Sequence, residues 1–193
     1  MLEYTLKVAT LQDLDAVYAF EAAVLPDAWS RQTLQTALQS QLQQILLLFA
    51  CTEEENALPV ALLHWQSSYD FIDIFNIGVR EEFRRRGLAS LLLNLPAAIL
   101  QHKLTAYLAA GRCEIEPETL RYLENKFAAE VNWQYINLEV RSSNKAACNC
   151  YQRNGFVQIR KIAGFYRQEP FNRSTNWDYQ GEAAYCLQKV LRH

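Results

Sequence analysis

The apolar and polar positions of this chain follow two different periods, and the change from one to the other marks its elements. Runs that alternate with period two predict strands, whereas apolar residues spaced three and four apart predict helices. Short polar loops separate the second, third and fourth strands, which indicates an antiparallel meander. The predicted strands are Tyr4–Ala9, Ile45–Thr52, Leu58–Gln66, Phe71–Val79, Tyr135–Val140, Phe156–Tyr166 and Glu182–Leu191.

Residues that start and stop helices place the remaining elements. Thr10, with Asp13 three residues on, approximates a capping box, and Gly155 suits the end of a late helix. Pro96 lies inside the longest apolar helical pattern and is expected to kink it. The predicted helices run from Thr10 to Leu25, from Ser30 to Leu38, from Gly87 to Leu108, over a short stretch that begins at Pro117, and from Asn144 to Gly155.

The order β-α-α-β-β-β-α-(α)-β-α-β-β predicts an α/β fold, with a single mixed, mostly antiparallel central sheet flanked by helices. The 193 residues contain no internal repeat and no low-complexity linker. A chain of this length can bury one sizeable core, so we expect one domain over residues 1–193.

Composition narrows the classes of function. The chain is 50% apolar and 21% charged with a formal net charge of -2, so no general basic field argues for direct nucleic-acid binding. No secretory signal is visible, and no apolar run reaches the roughly 18 residues of a membrane helix. The five cysteines are scattered, which fits reduced thiols better than a disulfide framework. We therefore expect a cytoplasmic protein without a membrane partner.

The stretch VREEFRRRGLAS places three consecutive arginines, Arg84–Arg86, before Gly87 at the start of an apolar helix. The first N–H groups of a helix lack internal partners and favour an anion, and glycine lets a ligand approach the backbone closely. The arrangement suits a diphosphate, although the sequence has neither a P-loop nor a dinucleotide-binding fingerprint. A solvated basic turn is the alternative.

Glu139 and Tyr151 form a second group of candidates. Glu139 interrupts an apolar strand, where an ionised carboxylate is costly unless it is paired or functional. The alternatives are that Glu139 points outward from an edge strand and that Tyr151 is a core aromatic residue.

His64 is interpreted as a satisfied sheet histidine, and Cys148 and Cys150 as buried structural thiols.

Both stretches resemble motifs of one family. VREEFRRRGLA is similar to the acetyl-CoA motif of the GNAT superfamily of N-acetyltransferases, V-x-P-x-x-[QR]-x-x-G-x-[GA], with Glu81 in place of the common proline. LEVRSSNKAACNCYQRNGF is similar to the signature of the RimI-type ribosomal-protein-alanine N-acetyltransferases, L-E-V-R-x-S-N-x-x-A-x-x-x-Y-x-x-x-G-F. The resemblance covers most of the chain, and residues 109–133 stand out as a helical insertion.

The resemblance implies a GNAT-like fold and acetyl transfer from acetyl-CoA to a protein N-terminal amine, the N-terminal alanine of a small-subunit ribosomal protein. It implies Glu139 as general base and Tyr151 as general acid, without a metal. It also implies that the strand before the arginines splays from its neighbour, and Gly78 fits a bulge there. The implied cofactor contacts are Ile77, Gly78, Val79, Arg84, Arg85, Arg86, Gly87, Leu88, Ala89, Ser90 and Asn144.

The implied partners are acetyl-CoA and an N-terminal peptide, and a monomer or weak dimer is expected. Trp29 and the residues from Tyr166 to Asn176 are expected to line a peptide groove. The insertion leaves a lysine, a polyamine or another small amine open as the acceptor. A coenzyme A-binding module without catalysis and a covalent acetyl-cysteine at Cys150 are further alternatives.

Overall fold

The computed structural model describes residues 3–51, 58–127, 131–166 and 181–191, and its strands form one mixed sheet. The strands are β1 Tyr4–Val8, β2 Gln43–Ala50, β3 Ala61–Ser67, β4 Phe71–Val79, β5 Cys113–Ile115, β6 Tyr135–Arg141, β7 Val157–Tyr166 and β8 Glu182–Val190. Their order across the eight-stranded sheet is β5-β1-β2-β3-β4-β6-β8-β7. Within the described residues β1–β5 and β4–β6 are the parallel pairs, which confirms a mixed, mostly antiparallel sheet.

The helices begin close to the predicted caps. The capping box of Thr10 and Asp13 is present, and it opens a 3-10 turn that leads into the first α-helix. No helix in the described ranges is long and apolar enough to span a bilayer. The α-helices are α1 Leu14–Val24, α2 Arg31–Gln39, α3 Leu88–Leu93, α4 Leu95–Leu100, α5 Leu104–Ala110, α6 Pro117–Lys126 and α7 Lys145–Arg153.

The helices cover the two faces of the sheet and build two cores. On one face, the α1 face, Val17 and Phe20 of α1 and Leu34 of α2 pack against Leu47 and Leu62. On the opposite face, the α3 face, the helices from α3 onward cover the sheet. The core on the α3 face includes Leu46, Leu63, Leu92, Leu123, Leu138 and Tyr151.

The long helix expected from Gly87 to Leu108 is wrong, because three short helices occupy this stretch. α3 ends before Asn94, whose side-chain amide donates to the carbonyl oxygen of Ser90. Pro96, in the first turn of α4, has no N–H to continue the ladder. A second break follows at His102, where φ is 53°. The apolar pattern continues through both breaks, so periodicity alone does not reveal them.

The insertion at 109–133 contains a strand as well as a helix. β5 pairs parallel with β1 at one edge of the sheet, and Thr119 of α6 accepts the N–H of Val8 with its hydroxyl oxygen at 2.9 Å. Three residues are too few to show alternation, which is why the sequence predicted only a helix here. The strand order places β5 four positions from β4, so this strand of the insertion forms the edge of the sheet far from β4.

A bulge in β4 decides which side chains face which core. β3 and β4 pair regularly on both sides of Phe75, which is the extra residue. Gly78 pairs in register with Leu62, so the bulge expected at Gly78 is wrong. Because the bulge shifts the alternation by one residue, Phe75 and Asn76 both contact side chains of the α1 face, whereas Ile77 packs against the core of the α3 face.

β4 and β6 pair along their first halves and then separate. Their parallel ladder begins at Phe71 opposite Tyr135 and ends at Ile74 opposite Leu138. The later residues of both strands have no ladder partner in each other, so a gap opens between them, as the resemblance implied. This gap connects the α1 face with the α3 face.

Candidate active site

The gap between β4 and β6 opens into a cleft of about 310 Å³. The structure brings part of the predicted site into this cleft and leaves the rest outside its lining. The predicted residues that line the cleft are Ile77, Glu139, Asn144 and Tyr151. The predicted residues outside this lining are Gly78, Val79 and the stretch from Arg84 to Ser90.

The connection between α1 and α2 and the end of β7 complete the cleft. Trp29 and Tyr166 line it, so the structure brings both to the cleft, while its use as a peptide groove stays a prediction. The other residues of that prediction, 167–176, lie outside the described residues. Leu25 and Pro26 add apolar surface beside Trp29.

Glu139 reaches the cleft from the α1 face. Its neighbours Leu138 and Val140 are buried in the core of the α3 face, and strand alternation turns Glu139 to the opposite side. β6 lies between β4 and β8, so the alternative that Glu139 belongs to an edge strand is wrong. The carboxylate is exposed inside the cleft.

Tyr151 reaches the same cleft from the α3 face. α7 holds its ring in the core, 5.8 Å from the ring of Phe156. Burial raises the pKa of the Tyr151 hydroxyl, and the neighbouring Cys150, Tyr166 and Cys148 raise it further. The hydroxyl is therefore protonated throughout the neutral range and can act as a hydrogen-bond and proton donor.

Asn144 begins α7 beside the cleft. Its Oδ1 accepts the N–H of Ala147 at 3.1 Å, so the predicted helix cap is confirmed. This cap fixes the start of the helix that carries Tyr151.

The backbone of Ile77 and Val79 faces the gap. The N–H of Arg80 donates to the carbonyl oxygen of Val60 at 2.9 Å, so Gly78, two residues earlier, also directs its backbone groups at β3. In an antiparallel pair this direction alternates along the strand. The N–H and C=O groups of Ile77 and Val79 therefore point away from β3, toward the gap.

Gly78 lets α1 approach β4 closely. A Cβ at this position would lie 2.9 Å from Val24 Cγ1, 3.1 Å from Leu25 Cδ2 and 3.2 Å from Phe20 Cε1. A side chain at this position would force at least the Val24 side chain to shift. The structure thus places Gly78 at a packing contact with α1.

The arginine stretch leads into the first turn of α3. Gly87 has a φ of 84°, and a Cβ there would meet no atom within 4 Å, so its backbone is open to a ligand. In the described part of the chain, no carbonyl accepts the N–H groups of Arg85–Ser90. The N–H of Arg84 donates to the carbonyl oxygen of Glu81 at 3.1 Å, and Arg84 Nε donates to that of Val79 at 3.1 Å. The open amides therefore begin at Arg85, one residue later than predicted.

The side chains around these open amides differ in exposure. Leu88 is buried in the core of the α3 face, so its N–H is the group that remains available. Arg86 donates from Nη2 to the carbonyl oxygen of Glu82 at 3.1 Å and lies 5.0 Å from the ring centroid of Phe83. Arg85 is exposed. The arginines thus form a rim around the amides.

Side-chain amides tie the first turn of α3 to the end of α7. Asn154 Nδ2 donates to Ser90 Oγ at 3.0 Å, and Asn154 Oδ1 accepts from Asn94 Nδ2 at 2.9 Å. Asn94 Oδ1 in turn accepts from Lys189 Nζ at 2.5 Å. These bonds fix the open amides relative to the helix that carries Tyr151.

Glu21 is a buried carboxylate that the sequence analysis missed. Its oxygens accept the N–H of Trp29 at 2.9 Å and Asn76 Nδ2 at 2.8 Å, so it joins the wall of the cleft to β4. Burial raises the pKa of Glu21, and these two donors offset part of that rise. The signal in the sequence is its position, since Glu21 occupies a core position in the helical stripe that also holds Leu14 and Val17.

A buried histidine supports the aromatic wall of the cleft. The ring of His64 packs edge-on against Trp29 at 4.7 Å and Phe75 at 5.3 Å, and both of these line the cleft. His64 Nε2 lies 2.9 Å from Gln43 Oε1, whereas Nδ1 has no partner among the described residues. Burial lowers the pKa of His64 to about 3, so the ring is neutral near pH 7.

The thiols of Cys148 and Cys150 lie outside the lining of the cleft. Burial raises the pKa of the Cys150 thiol, which disfavours the nucleophilic thiolate that an acetyl-cysteine would need. Across residues 3–51, 58–127, 131–166 and 181–191, no three His, Cys, Asp or Glu side chains come together as a metal site.

Comparison with known proteins bears on the fold. No protein-family model matches the sequence, and no curated protein matches it. The structure is similar to the ribosomal-protein-S18-alanine N-acetyltransferase of Escherichia coli, with a TM-score of 0.66 and 22% identity over 98% of this chain and 95% of that one. It is similar to NAA60 of Arabidopsis thaliana in complex with acetyl-CoA, with a TM-score of 0.66 and 15% identity over 97% and 98% of the two chains.

A third similar structure is the spermidine N-acetyltransferase SpeG chimera from Vibrio cholerae and hSSAT. Its TM-score is 0.59 and its identity 16%, over 98% of this chain and 96% of that one. The chain therefore has the GNAT fold, and the fold that the two sequence motifs implied is confirmed.

Proposed function

We propose that this protein transfers an acetyl group from acetyl-CoA to a protein N-terminal amine, the N-terminal alanine of a small-subunit ribosomal protein. The observation that carries the proposal is the pair Glu139 and Tyr151, which line one cleft from opposite faces of the sheet. A carboxylate and a protonated hydroxyl on the two sides of a gap suit a reaction that removes one proton and supplies another.

The residues present fit acetyl-CoA. The open amides of Arg85–Ser90 and the left-handed Gly87 suit its diphosphate, with the arginine side chains as a positive rim. The backbone groups of Ile77 and Val79, turned toward the gap, suit its amide-containing pantetheine arm, and Asn144 borders the same cleft. When bound, acetyl-CoA supplies an activated acetyl thioester.

In the proposed mechanism Glu139 takes a proton from the acceptor amine, directly or through a water, as the nitrogen–carbon bond forms. The backbone N–H of Val79 stabilises the negative charge that develops on the carbonyl oxygen. Tyr151 donates its proton to the departing sulfur as the carbon–sulfur bond breaks. Burial raises the pKa of the Tyr151 hydroxyl, so this group holds its proton and can hydrogen-bond to the sulfur before the carbon–sulfur bond breaks.

An N-terminal amine suits a weak base. Its pKa is about 7.7–8.0, against about 10.4 for lysine, so a larger share of it is neutral near pH 7. The similarity to the ribosomal-protein-S18-alanine N-acetyltransferase supports the choice of alanine.

The test is acetyl transfer by the purified protein to an alanine-first N-terminal peptide of a ribosomal protein. We expect one acetyl group per peptide on the α-amine, located by fragmentation mass spectrometry, and no transfer to the same peptide with a blocked N-terminus. Mass spectrometry of ribosomal N-termini from cells with and without this protein extends the test. Tight acetyl-CoA binding with no transfer to any amine would instead support a coenzyme A-binding module.

A polyamine is the second candidate acceptor. The similarity to a spermidine N-acetyltransferase favours it. The insertion no longer does, because none of its described residues lines the cleft. Comparing kcat/KM for the alanine peptide, a lysine peptide and spermidine decides between the acceptors, and the highest value identifies the class.

A further inference from the structure

Arg141, at the end of β6, lies two residues from Glu139 and on the same face of the sheet. Its Nη2 donates to both carboxylate oxygens of Asp27, at 2.6 and 2.8 Å, and its Nε donates to Asp27 Oδ2 at 2.9 Å. This is the forked geometry in which arginine binds a carboxylate most strongly. Asp27 belongs to the connection between α1 and α2, so the contact ties that connection to β6.

The same guanidinium also contacts the last residue of β7 and the first residue of β8. Arg141 Nη1 donates to Glu182 Oε2 at 3.1 Å, and the other oxygen of Glu182 accepts the N–H of Ser143 at 2.7 Å. The ring centroid of Tyr166 lies 4.1 Å from the guanidinium carbon, a cation–π contact. One side chain therefore joins three separate segments of the chain around Glu139.

These contacts stand at the wall of the cleft. Asp27, Arg141 and Tyr166 all line it. The side chain of Arg141 is 24% exposed and that of Glu182 is 22% exposed, whereas that of Asp27 is 54% exposed, so solvent screens the Glu182 pair less than the Asp27 pair. Since Nε, Nη1 and Nη2 all donate to carboxylates of the protein, the guanidinium orders the wall of the cleft.

We propose that Arg141 is a positioning residue for the acceptor. It holds the α1–α2 connection and the ends of β7 and β8 so that the amine meets a preformed cleft beside Glu139. The inference rests on the proposed function, because it concerns the acceptor side of that site. The open amides of Arg85–Ser90 belong to the opposite side of the sheet, so Arg141 is expected to control acceptor binding and not acetyl-CoA binding.

The test is Arg141→Lys, which keeps the charge and removes the fork. We expect KM for the alanine peptide to rise about tenfold, the effect of losing about one charge-assisted hydrogen bond, with the acetyl-CoA Kd changed less than about twofold. Asp27→Asn should raise the same KM. The KM of the double variant should rise by less than the product of the two single-variant increases, because both substitutions break the same contact between Arg141 and Asp27.

Arg31→Lys is the matched control. Arg31 donates through Nε and Nη2 to Asp15 and so joins α2 to α1, the two helices that flank the same connection. Its side chain is 54% exposed and lies outside the cleft lining. We expect this variant to leave KM and Kd unchanged. An acceptor KM that stays constant in Arg141→Lys, or an acetyl-CoA Kd that rises as much as the KM, overturns the inference.

A measurement without turnover separates this inference from the proposed function. Hydrogen exchange of residues 25–30 reports how firmly the connection is held, and we expect faster exchange in Arg141→Lys but not in Arg31→Lys. Unchanged exchange overturns the positioning role, whatever the enzyme acetylates. Failure of the wild-type protein to acetylate any amine, with the exchange difference present, refutes only the proposed function.

Discussion

The two faces of the sheet meet at the gap with different chemistry. On the α3 face the polar groups open to a ligand are the backbone amides of Arg85–Ser90, together with the side-chain hydroxyl of Tyr151. On the α1 face they are side chains, the carboxylate of Glu139 beside the aromatic wall of Trp29 and Phe75. Backbone groups are present whatever the side chains are, so they suit a ligand that does not change. Side chains can be exchanged one at a time, so they suit a partner that varies.

The two faces are also held together differently. Neutral amides of Asn94 and Asn154 fix α3 against α7, whereas the ion pairs of Arg141 fix the connection between α1 and α2. The carboxylate of Glu21 adds a buried acceptor under that connection. If the α3 face binds the cofactor and the α1 face binds the acceptor, substitutions on the α3 face should change the acetyl-CoA Kd. Substitutions on the α1 face should change the KM for the acceptor.

The largest expected effect comes from the two residues that face each other across the gap. Glu139→Gln and Tyr151→Phe each remove a proton-transfer group, and we expect kcat to fall by about 100-fold to 10,000-fold. The acetyl-CoA Kd should stay within about twofold because the open amides are untouched. Steady-state kinetics with calorimetry measures both, and an unchanged kcat in either variant refutes the role of that residue.

Gly87→Glu is expected to break the cofactor side alone. It places a negative charge among the amides proposed for the diphosphate, so the acetyl-CoA Kd should rise about 100-fold. Gly155→Ala is the matched control, because Gly155 has a φ of 85° and its Cβ would meet only Lys189 Cε at 3.9 Å. The control should cost about 1–2 kcal/mol of stability without changing the Kd. An equal acetyl-CoA Kd in both variants would contradict the proposal that the open amides of Arg85–Ser90 bind the diphosphate.

His64 supports the aromatic wall formed by Trp29 and Phe75, and His64→Gln tests this role through the pH dependence of the unfolding free energy. The folded pKa of His64 is about 3, below its unfolded value of about 6.5, so the unfolded state binds more protons as the pH falls. The wild-type protein should therefore lose about 2 kcal/mol of unfolding free energy from this residue between about pH 7.5 and pH 5. Urea unfolding at both pH values should show a smaller loss in the variant. Equal losses in the two proteins would contradict the assignment.

Arg85→Ala should have the smallest effect. Arg85 is exposed at the rim of the open amides, and an exposed ion pair contributes about 0.2–1 kcal/mol. We expect the acetyl-CoA Kd to rise about threefold, less at high salt, while Arg160→Ala on β7 leaves it unchanged. A loss as large as that of Gly87→Glu would mean that side chains and not backbone amides carry the binding.

The sequence predicted the fold class through features that are local. These features depend only on neighbouring residues. They are the strands of the meander, the helix caps at Thr10, Ser30 and Asn144, and the end of α1 ahead of α2. The pair Glu139 and Tyr151 was found by its motif, and the structure places both at one cleft. That outcome depends on long-range pairing that no local pattern contains.

The misses have physical causes as well. Within the stretch from Gly87 to Leu108, the first break follows from the Asn94 side chain at the Ser90 carbonyl and from Pro96, and the second lies at His102, while the apolar pattern continues through both. The bulge falls at Phe75 and not at Gly78 because register depends on the partner strand. Gly78 is needed for the close approach of α1, which becomes visible only when the helix is packed on the sheet.

The sequence by itself determined most of the elements, the apolar faces and the two motifs, because propensity, capping and periodicity act over a few residues, whereas the breaks after Leu93 and strand β5 escaped it. The tertiary structure decided where β4 and β6 separate, which brings Glu139 from one face and Tyr151 from the other to the same gap. It also decided the partners of Glu21 and Arg141, whose contacts join residues far apart in the chain. The reason is that pairing register and packing depend on segments distant in sequence, and the site lies where those segments meet.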